Sequence, residues 1–171
     1  MALYWLEKYS MKFNSLRSLF ALFMLFASVI SHAKNHTLND ILVMPVAPPG
    51  VVIEIVTPED EGLKWALPEA QNAVAKLRAK FKDLPIAIVT HGSEQFALMK
   101  KQQPTHQAEH QIVQSLMKDN KVEVHVCGTH AEWKGVHAED FPAYVDVAAA
   151  GPTQINDYKA LGYLLLVIRS H

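Results

Sequence analysis

The sequence of 171 residues is half hydrophobic, carries a formal net charge of −1 and contains one cysteine. Charge so close to balance gives no electrostatic basis for binding nucleic acid or an acidic membrane surface, so neither is expected as a partner. A single cysteine also excludes an intramolecular disulfide.

The first 33 residues have the three-part pattern of a secretory signal peptide. Lys12 and Arg17 supply positive charge, only Ser28 interrupts the apolar run at 19–30, and 31–33 is a small-x-small cleavage site. The apolar run is shorter than the roughly 20 residues that a membrane-spanning helix needs, which disfavours the alternative of an uncleaved anchor. We therefore predict cleavage after Ala33, export to the periplasm and no membrane span in the processed chain.

The processed chain, 34–171, has the length of one ordinary domain. Residues 34–50 contain three prolines and are predicted to be a lead-in with little regular structure. Beyond the lead-in, β-branched and apolar runs bounded by proline, glycine or polar residues predict strands. The predicted strands are Val51–Val56, Ile86–Val89, Val122–Val126, Tyr144–Ala148 and Leu164–Ile168.

The stretches between these strands carry apolar residues at helical spacing. Pro68 suits a first helical turn, and Ser93 suits a helix N-cap. Helices are expected at Pro68–Lys82, from Ser93 to Pro104, from Thr105 to Asn120, at Thr129–Lys134 and at Gly151–Gly162. This alternation predicts an α/β fold, in which a mostly parallel five-stranded sheet is covered by helices on both faces. The apolar fifth strand is expected to be buried on both of its faces.

Candidate functional residues are predicted at the carboxyl ends of two strands, which is where ligands bind in an open parallel sheet. His91 and Gly92 follow the second strand, and Cys127 follows the third. Thr129 and Glu132 stand three apart as in a capping box, which orients backbone N–H groups toward the start of a helix. Such donors, together with the helix dipole, favour a thiolate over a thiol at Cys127. The alternative is that Cys127 is a small buried hydrophobic residue.

Several short motifs resemble those of one known family. They are Val89-Thr90-His91-Gly92, Val126-Cys127-Gly128-Thr129, Asp140-Phe141, Val147–Gly151 and Leu161-Gly162-Tyr163. On these motifs, which lie within 51–168, the chain resembles the DsrE/DsrF-like family. The resemblance implies a three-layer α/β/α domain over 51–171, assembly as a trimer or hexamer, and a cysteine that carries sulfur as a persulfide. The family's best understood sulfur carriers are cytoplasmic, whereas this chain carries an export pattern.

The resemblance also implies a mechanism. Cys127 as a thiolate takes a sulfane sulfur from a thiol or persulfide partner, holds it as a persulfide and yields it to an acceptor thiol. Gly128 and Thr129 are expected to donate backbone N–H groups to the sulfur, although family members often have asparagine at or near the position of Gly128. His91 or His130 is expected to move a proton near neutral pH. No cofactor is expected.

A copper- or zinc-binding module is a second possibility. His125, Cys127 and His130 offer nitrogen and sulfur ligands, and strand parity places His125 on the same face as Cys127. His106 and His110 also stand four apart on one predicted helix face. Neither set has a standard zinc spacing.

A third possibility is an oligomeric binding protein without chemistry, assembled through an apolar surface. Residues of this type lie more often in the core than on a surface. The residues considered for such a surface are Met44, Trp65, Trp133 and Phe141. Glu54 and Asp146 fall within predicted strands, and we expect them at an edge or facing solvent rather than as a catalytic pair.

Overall fold

The computed structural model describes residues 35–169. The predicted signal peptide and its cleavage site lie outside these residues. Among the described residues, no helix is both long enough and apolar enough to cross a bilayer.

Five strands of the described chain form one parallel sheet. They are β1 (Val51–Ile55), β2 (Ile86–Thr90), β3 (Glu123–Cys127), β4 (Asp146–Ala148) and β5 (Leu164–Ile168). Their order across the sheet is β4-β3-β2-β1-β5, and each neighbouring pair is parallel. The central strand β2 is buried at every position.

The helices of residues 35–169 cover both faces of the sheet. They are α1 (Leu38–Leu42), α2 (Leu63–Lys80), α3 (Gln107–Lys118), α4 (Gly128–Trp133) and α5 (Gly151–Ala160), with 3-10 turns at Ser93–Leu98, Lys100–Gln102 and Ala138–Asp140. Residues of α2 and α3 pack on one face in the larger hydrophobic core, whereas α5 packs on the other face in a smaller one. The predicted α/β fold with helices on both faces is confirmed.

Helix α2 begins at Leu63 rather than at the predicted Pro68. Leu63, Ala66 and Leu67 are buried and continue the apolar face of the helix toward its start. Pro68 therefore lies inside the helix, where its ring nitrogen cannot bond to the carbonyl of Lys64. Lys64 is exposed in the first turn, so water can satisfy that carbonyl.

The segment that follows β2 is a 3-10 turn and not the α-helix that was predicted. Ser93 makes no capping hydrogen bond there, because the residue at the N-cap position is Gly92. Glu94 and Gln95 are adjacent in sequence, and both are fully buried with polar partners in neighbouring loops. The need to satisfy two buried polar side chains overrides the helical pattern here.

Strand β5 lies at an edge of the sheet, and its partly exposed side chains correct the prediction that it is buried on both faces. Leu164, Leu165 and Val167 remain partly exposed. The apolar run gave the correct strand, but an apolar run does not specify whether the strand has one neighbour or two. The lead-in also has more structure than expected, because Thr37 caps α1 and Ile41 is fully buried.

Candidate functional site

One face of the sheet carries an unusual number of polar side chains. Side chains alternate between faces along a strand, so Glu123, His125 and Cys127 of β3 point to the same side. This side, here called the α5 face, is the one on which Ile155 and Tyr158 of helix α5 pack. His125 contacts Tyr158 of α5 and Cys127 lies close to Gly151 of the same helix, so the expectation that they share a face agrees with the structure.

Cys127 ends β3 and is also the N-cap residue of α4. Its Sγ accepts a hydrogen bond from the backbone N–H of His130 at 3.4 Å. This donor lies at the carboxyl edge of the parallel sheet, within hydrogen-bond distance of the sulfur. The thiol thus lies at the edge that the sequence predicted.

The donor to the sulfur is not the one that was predicted. The backbone N–H and the Oγ1 hydroxyl of Thr129 both donate to the carbonyl of Ala149, at 3.0 and 2.7 Å. Since Cys127 itself occupies the N-cap position, the capping box expected from Thr129 and Glu132 does not form. The prediction of an N–H donor was wrong for Thr129, and His130 takes that role.

Cys127 is only 4% exposed, so the residue is buried, as the alternative interpretation of the sequence expected. A Cβ added to Gly151, the first residue of α5, would lie 3.4 Å from the Cβ of Cys127. On the other side, a Cβ added to Gly128 would come within 2.9 Å of the carbonyl oxygen of Ala148. Two glycines thus allow the start of α5 and the end of β4 to close around the thiol.

Gln95 fixes the backbone of Cys127. Its side chain is fully buried, and Oε1 accepts the backbone N–H of Cys127 at 2.7 Å. Because that N–H can only donate, the carboxamide must present its oxygen there, which settles the orientation of the amide. The Nε2 group of Gln95 is then left buried without a hydrogen-bond partner among the described residues. The side chain takes the place of a sheet hydrogen bond where β2 and β3 diverge.

His91 is the next-strand neighbour of Cys127. Thr90 pairs with Val126 in the sheet register, so the residues that follow them, His91 and Cys127, stand side by side. A Cβ on Gly151 would lie 2.6 Å from the Cβ of His91 and 3.4 Å from that of Cys127. The structure therefore brings these two predicted site residues together.

Glu54 forms the other contact of His91, with Oε1 lying 2.9 Å from Nε2 of the ring. Glu54 belongs to β1, which has a neighbour on each side, and its side chain is 17% exposed. The expectation of an edge or solvent-facing carboxylate was therefore wrong for Glu54. The hydrogen bond from His91 is the main cause that lowers the pKa of Glu54, and it prevails over burial, which acts in the opposite direction.

His130 lies on the outer side of the thiol. Its Nδ1 is 3.0 Å from the backbone carbonyl of His91, so Nδ1 carries the proton and a neutral ring has its lone pair on Nε2. The ring makes an edge contact with Phe96, at 5.2 Å between centroids, and a tilted one with Trp133. All three predicted side-chain site residues, Cys127, His91 and His130, thus gather at one point.

The fold has counterparts among solved structures. No protein-family model and no curated protein matches the chain. MTH1491 from Methanobacterium thermoautotrophicum, a protein of unknown function, is 17% identical, with a TM-score of 0.54 over 69% of this chain and 97% of that one. YchN from E. coli is 15% identical, with a TM-score of 0.51 over 70% of this chain and 99% of that one. At such identities these similarities show the fold alone.

A second polar cluster on the α5 face surrounds His125. Nδ1 of His125 lies 2.6 Å from Oδ2 of Asp146, and Nε2 lies 2.8 Å from the hydroxyl of Tyr158. The same hydroxyl donates to the carboxylate of Glu123. Burial, followed by this hydrogen bond, raises the pKa of Tyr158. Asp146 is largely exposed, as the sequence suggested, but it is paired with His125.

The geometry gives no support to a metal centre within residues 35–169, where no group of three histidine, cysteine or acidic residues could hold a metal ion. Both ring nitrogens of His125 are already in contact with Asp146 and Tyr158. Those of His110 contact Tyr144 and the carbonyl of Ala97.

The residues considered for an apolar assembly surface have different environments. Phe141 is buried, whereas Met44 and Trp65 are partly buried against the core. Trp133 is 78% exposed and lies on α4, the helix that Cys127 caps. Only Trp133 of this set is thus available to a partner.

A polar cleft of about 560 Å³ adjoins the site without including the thiol. Phe96 and Ser93 line it, together with Lys134, which follows α4, and Glu61 from the loop after β1. Phe96 also contacts the ring of His130, so the cleft adjoins the site through this aromatic pair. Cys127 is absent from the residues that line the cleft.

Sequence reasoning missed four residues of the site: Glu54, Glu94, Gln95 and Gly151. Glu54 lies within an apolar stretch, and Glu94 and Gln95 precede an apolar one; a polar residue at a buried position signals a specific partner. Gly151 precedes Pro152 at a helix start, a pattern that gave no hint of its contact with His91. The signal available in the sequence was therefore a polar side chain at a position expected to be buried, and not a sequence motif.

Proposed function

We propose that this protein carries sulfur as a persulfide on Cys127 and exchanges it with thiol or persulfide partners in the periplasm. The observation that carries the proposal is the hydrogen bond from the His130 N–H to Sγ of Cys127 at the carboxyl edge of the sheet. The likeness of the fold to YchN is compatible with sulfur-relay chemistry. Export is supported by the charged, apolar and small-residue pattern that ends at Ala33.

The loading step is a displacement at sulfur. The Cys127 thiolate attacks the outer sulfur of a donor persulfide, R–S–SH, and the donor leaves as the thiolate R–S⁻. The product is Cys127–S–SH, and no electrons are gained or lost overall. Unloading is the same reaction in reverse order, in which an acceptor thiolate takes the outer sulfur and Cys127 leaves as a thiolate.

Two histidines can handle the protons of these steps. His91 stands beside Cys127 with Nδ1 unpaired among the described residues, because Nε2 is in contact with Glu54. His130 presents Nε2 as the lone-pair nitrogen when neutral, because Nδ1 donates to a carbonyl. Each can therefore accept the thiol proton or return one to a leaving thiolate.

The burial of Cys127 limits which donors can reach it. Since the residue is 4% exposed, a protein donor can react only after neighbouring groups, such as the start of α5, move. A small inorganic polysulfide needs a smaller opening than a protein. Local opening of this size is common at the ends of short helices, where few hydrogen bonds must break.

Mass spectrometry of the purified protein after treatment with inorganic polysulfide tests the proposal directly. We expect added mass equal to one or more sulfur atoms, mapped to Cys127 and released by a thiol reductant. Cys127→Ser should gain no mass and serves as the control. A protein whose thiol reacts with iodoacetamide under native conditions but never retains sulfur would refute the carrier function.

We further propose that the protein assembles as a trimer or hexamer. The exposed indole of Trp133, the last residue of α4, is consistent with burial against another copy or a partner. Light scattering after gel filtration measures the assembly. A monomer at all concentrations would contradict this part of the proposal without affecting sulfur carriage.

A further inference from the structure

We infer that Glu54 is a positioning residue for His91, and that the Glu54–His91 pair sets how readily Cys127 loses its proton. The inference rests on the proposed function in that Cys127 is the reacting group. It adds an assignment that the sequence argued against, since Glu54 was expected at an edge or facing solvent. Cys127 is the nucleophile, His91 the base and Glu54 the group that orients the base, and they are positioned by three neighbouring strands.

The sheet places Cys127 and His91 after paired residues, whereas Glu54 is level with Val89, two residues before His91, and reaches the imidazole from there. Cys127 ends β3, His91 follows the last residue of β2 in the paired register, and Glu54 lies on β1. Neighbouring strands are about 4.8 Å apart, so side chains on one face of successive strands contact each other. The backbone of Gly151 in α5 lies close to both residues, since a Cβ added there would come within 2.6 Å of the Cβ of His91 and 3.4 Å of that of Cys127.

The hydrogen bond to Glu54 fixes the tautomer of His91. A carboxylate can only accept, so the 2.9 Å contact requires the proton on Nε2 and leaves the lone pair on Nδ1. The same contact holds the ring at a set rotation. Nδ1 is consequently the nitrogen that can take a proton from the thiol.

Glu54 is ionised in this setting, as its lowered pKa indicates. The first cause is the hydrogen bond from His91, and the charges of Arg169 after β5 and Lys159 on α5 act in the same direction. Its side chain is 17% exposed and that of His91 is 15% exposed, so solvent screens their contact only in part. A half-buried charge within a strand is costly unless it has such a partner, which gives Glu54 a reason to be there.

The step that the pair assists is a proton transfer and needs no other reagent. The thiol of Cys127 gives its proton to Nδ1 of His91, which produces a thiolate and an imidazolium. The imidazolium keeps its Nε2–H bond to Glu54, now between opposite charges and therefore stronger. The His130 N–H stabilises the thiolate at the same time. Glu54 thus acts on the sulfur only through His91.

The pH profile of Cys127 alkylation by iodoacetamide tests this role. In Glu54→Gln, the amide oxygen can still accept from Nε2, but the negative charge that favours the imidazolium is lost. We expect the alkylation rate at pH 7 to fall about tenfold and the midpoint of the profile to move to higher pH. A purely structural role for Glu54 would change stability but would leave the midpoint where it is.

Asp146→Asn is the matched control, because Asp146 pairs with a different histidine, His125, on the same face. We expect this variant to keep the wild-type midpoint. An unchanged profile in Glu54→Gln, or an equal shift in Asp146→Asn, would overturn the inference. The second outcome would assign the effect to the overall charge of the face.

Nitrogen NMR of the His91 ring in Cys127→Ser gives a second reading that does not depend on the reaction of the thiol. We expect the tautomer protonated on Nε2 in that protein and a mixture of tautomers when Glu54→Leu is added. The Nδ1-protonated tautomer in the presence of Glu54 would refute the assignment. Failure of sulfur loading with these results intact would refute the carrier function alone.

Discussion

Replacement of Glu94 by glutamine should destabilise the protein more than any other isosteric change in the site. The Glu94 carboxylate is fully buried and accepts from three groups of two different loops. One oxygen accepts the backbone N–H of Gly92 at 2.9 Å and the hydroxyl of Thr90, and the other accepts the backbone N–H of Thr57 at 2.8 Å. These bonds tie the end of β1 to the residues on either side of His91.

Glutamine can replace only one of the two accepting oxygens. In either orientation of the introduced amide, its NH₂ group faces a backbone N–H, so at least one buried donor is left unpaired. An unpaired buried donor costs about 1–3 kcal/mol, and the remaining bonds lose the benefit of the charge. We therefore expect Glu94→Gln to lower the free energy of unfolding by about 3 kcal/mol, and the melting temperature by about 10 °C.

Urea unfolding followed by circular dichroism measures this loss. The matched control is Glu109→Gln, since Glu109 is also buried but its nearest basic atom, Nδ1 of His106, is 3.7 Å away. We expect the control to lose less than about 1 kcal/mol, because no charge-assisted hydrogen bond is removed. Equal losses in the two variants, or less than about 0.5 kcal/mol in Glu94→Gln, would contradict the reasoning.

Two further predictions concern helix α5 and pH. Gly151→Ala places a methyl group 2.6 Å from the Cβ of His91, so we expect the free energy of unfolding in urea to fall by about 1–3 kcal/mol. Unchanged stability would show that α5 moves freely. Burial lowers the pKa of His110, so the unfolded chain binds a proton that the folded chain does not. The contribution of neutral His110 to stability is fully present above about pH 6.5, the pKa of the residue in the unfolded chain. It is lost as the pH falls through the lower pKa of the residue in the folded protein. Stability should therefore fall less between pH 7 and pH 5 in His110→Gln than in the wild type, and equal slopes would count against this role for His110.

The sequence predicted features of the site that depend on local pattern. A β-branched run that ends in Cys127, and another that ends at Val89, place Cys127 and His91 at the carboxyl edge whenever the sheet is parallel. Strand parity likewise placed His125 beside Cys127 on one face. These statements need no knowledge of which strands are neighbours.

The features that the sequence missed depend on strand order and on contacts distant in the chain. The contact of Glu54 with His91 requires β1 to lie next to β2, and the partial exposure of β5 requires it to lie at an edge. Thr129 satisfies its backbone N–H with Ala149 instead of the predicted cap, and no local pattern reveals that acceptor. Local spacing indicated which groups were available, and the fold determined their partners.

The outer edge of β5 bears on how the protein avoids aggregation. His36 forms a single bridge to Leu166, with its N–H donating to the carbonyl of Leu165 at 2.9 Å. The unpaired backbone of an exposed apolar edge strand can hydrogen-bond to a strand of another molecule. The bridge at His36, next to the capped helix α1, occupies part of this edge and interrupts such pairing. The few residues just before α1 therefore act as a guard against intermolecular strand addition, and trimming the chain past His36 would remove it.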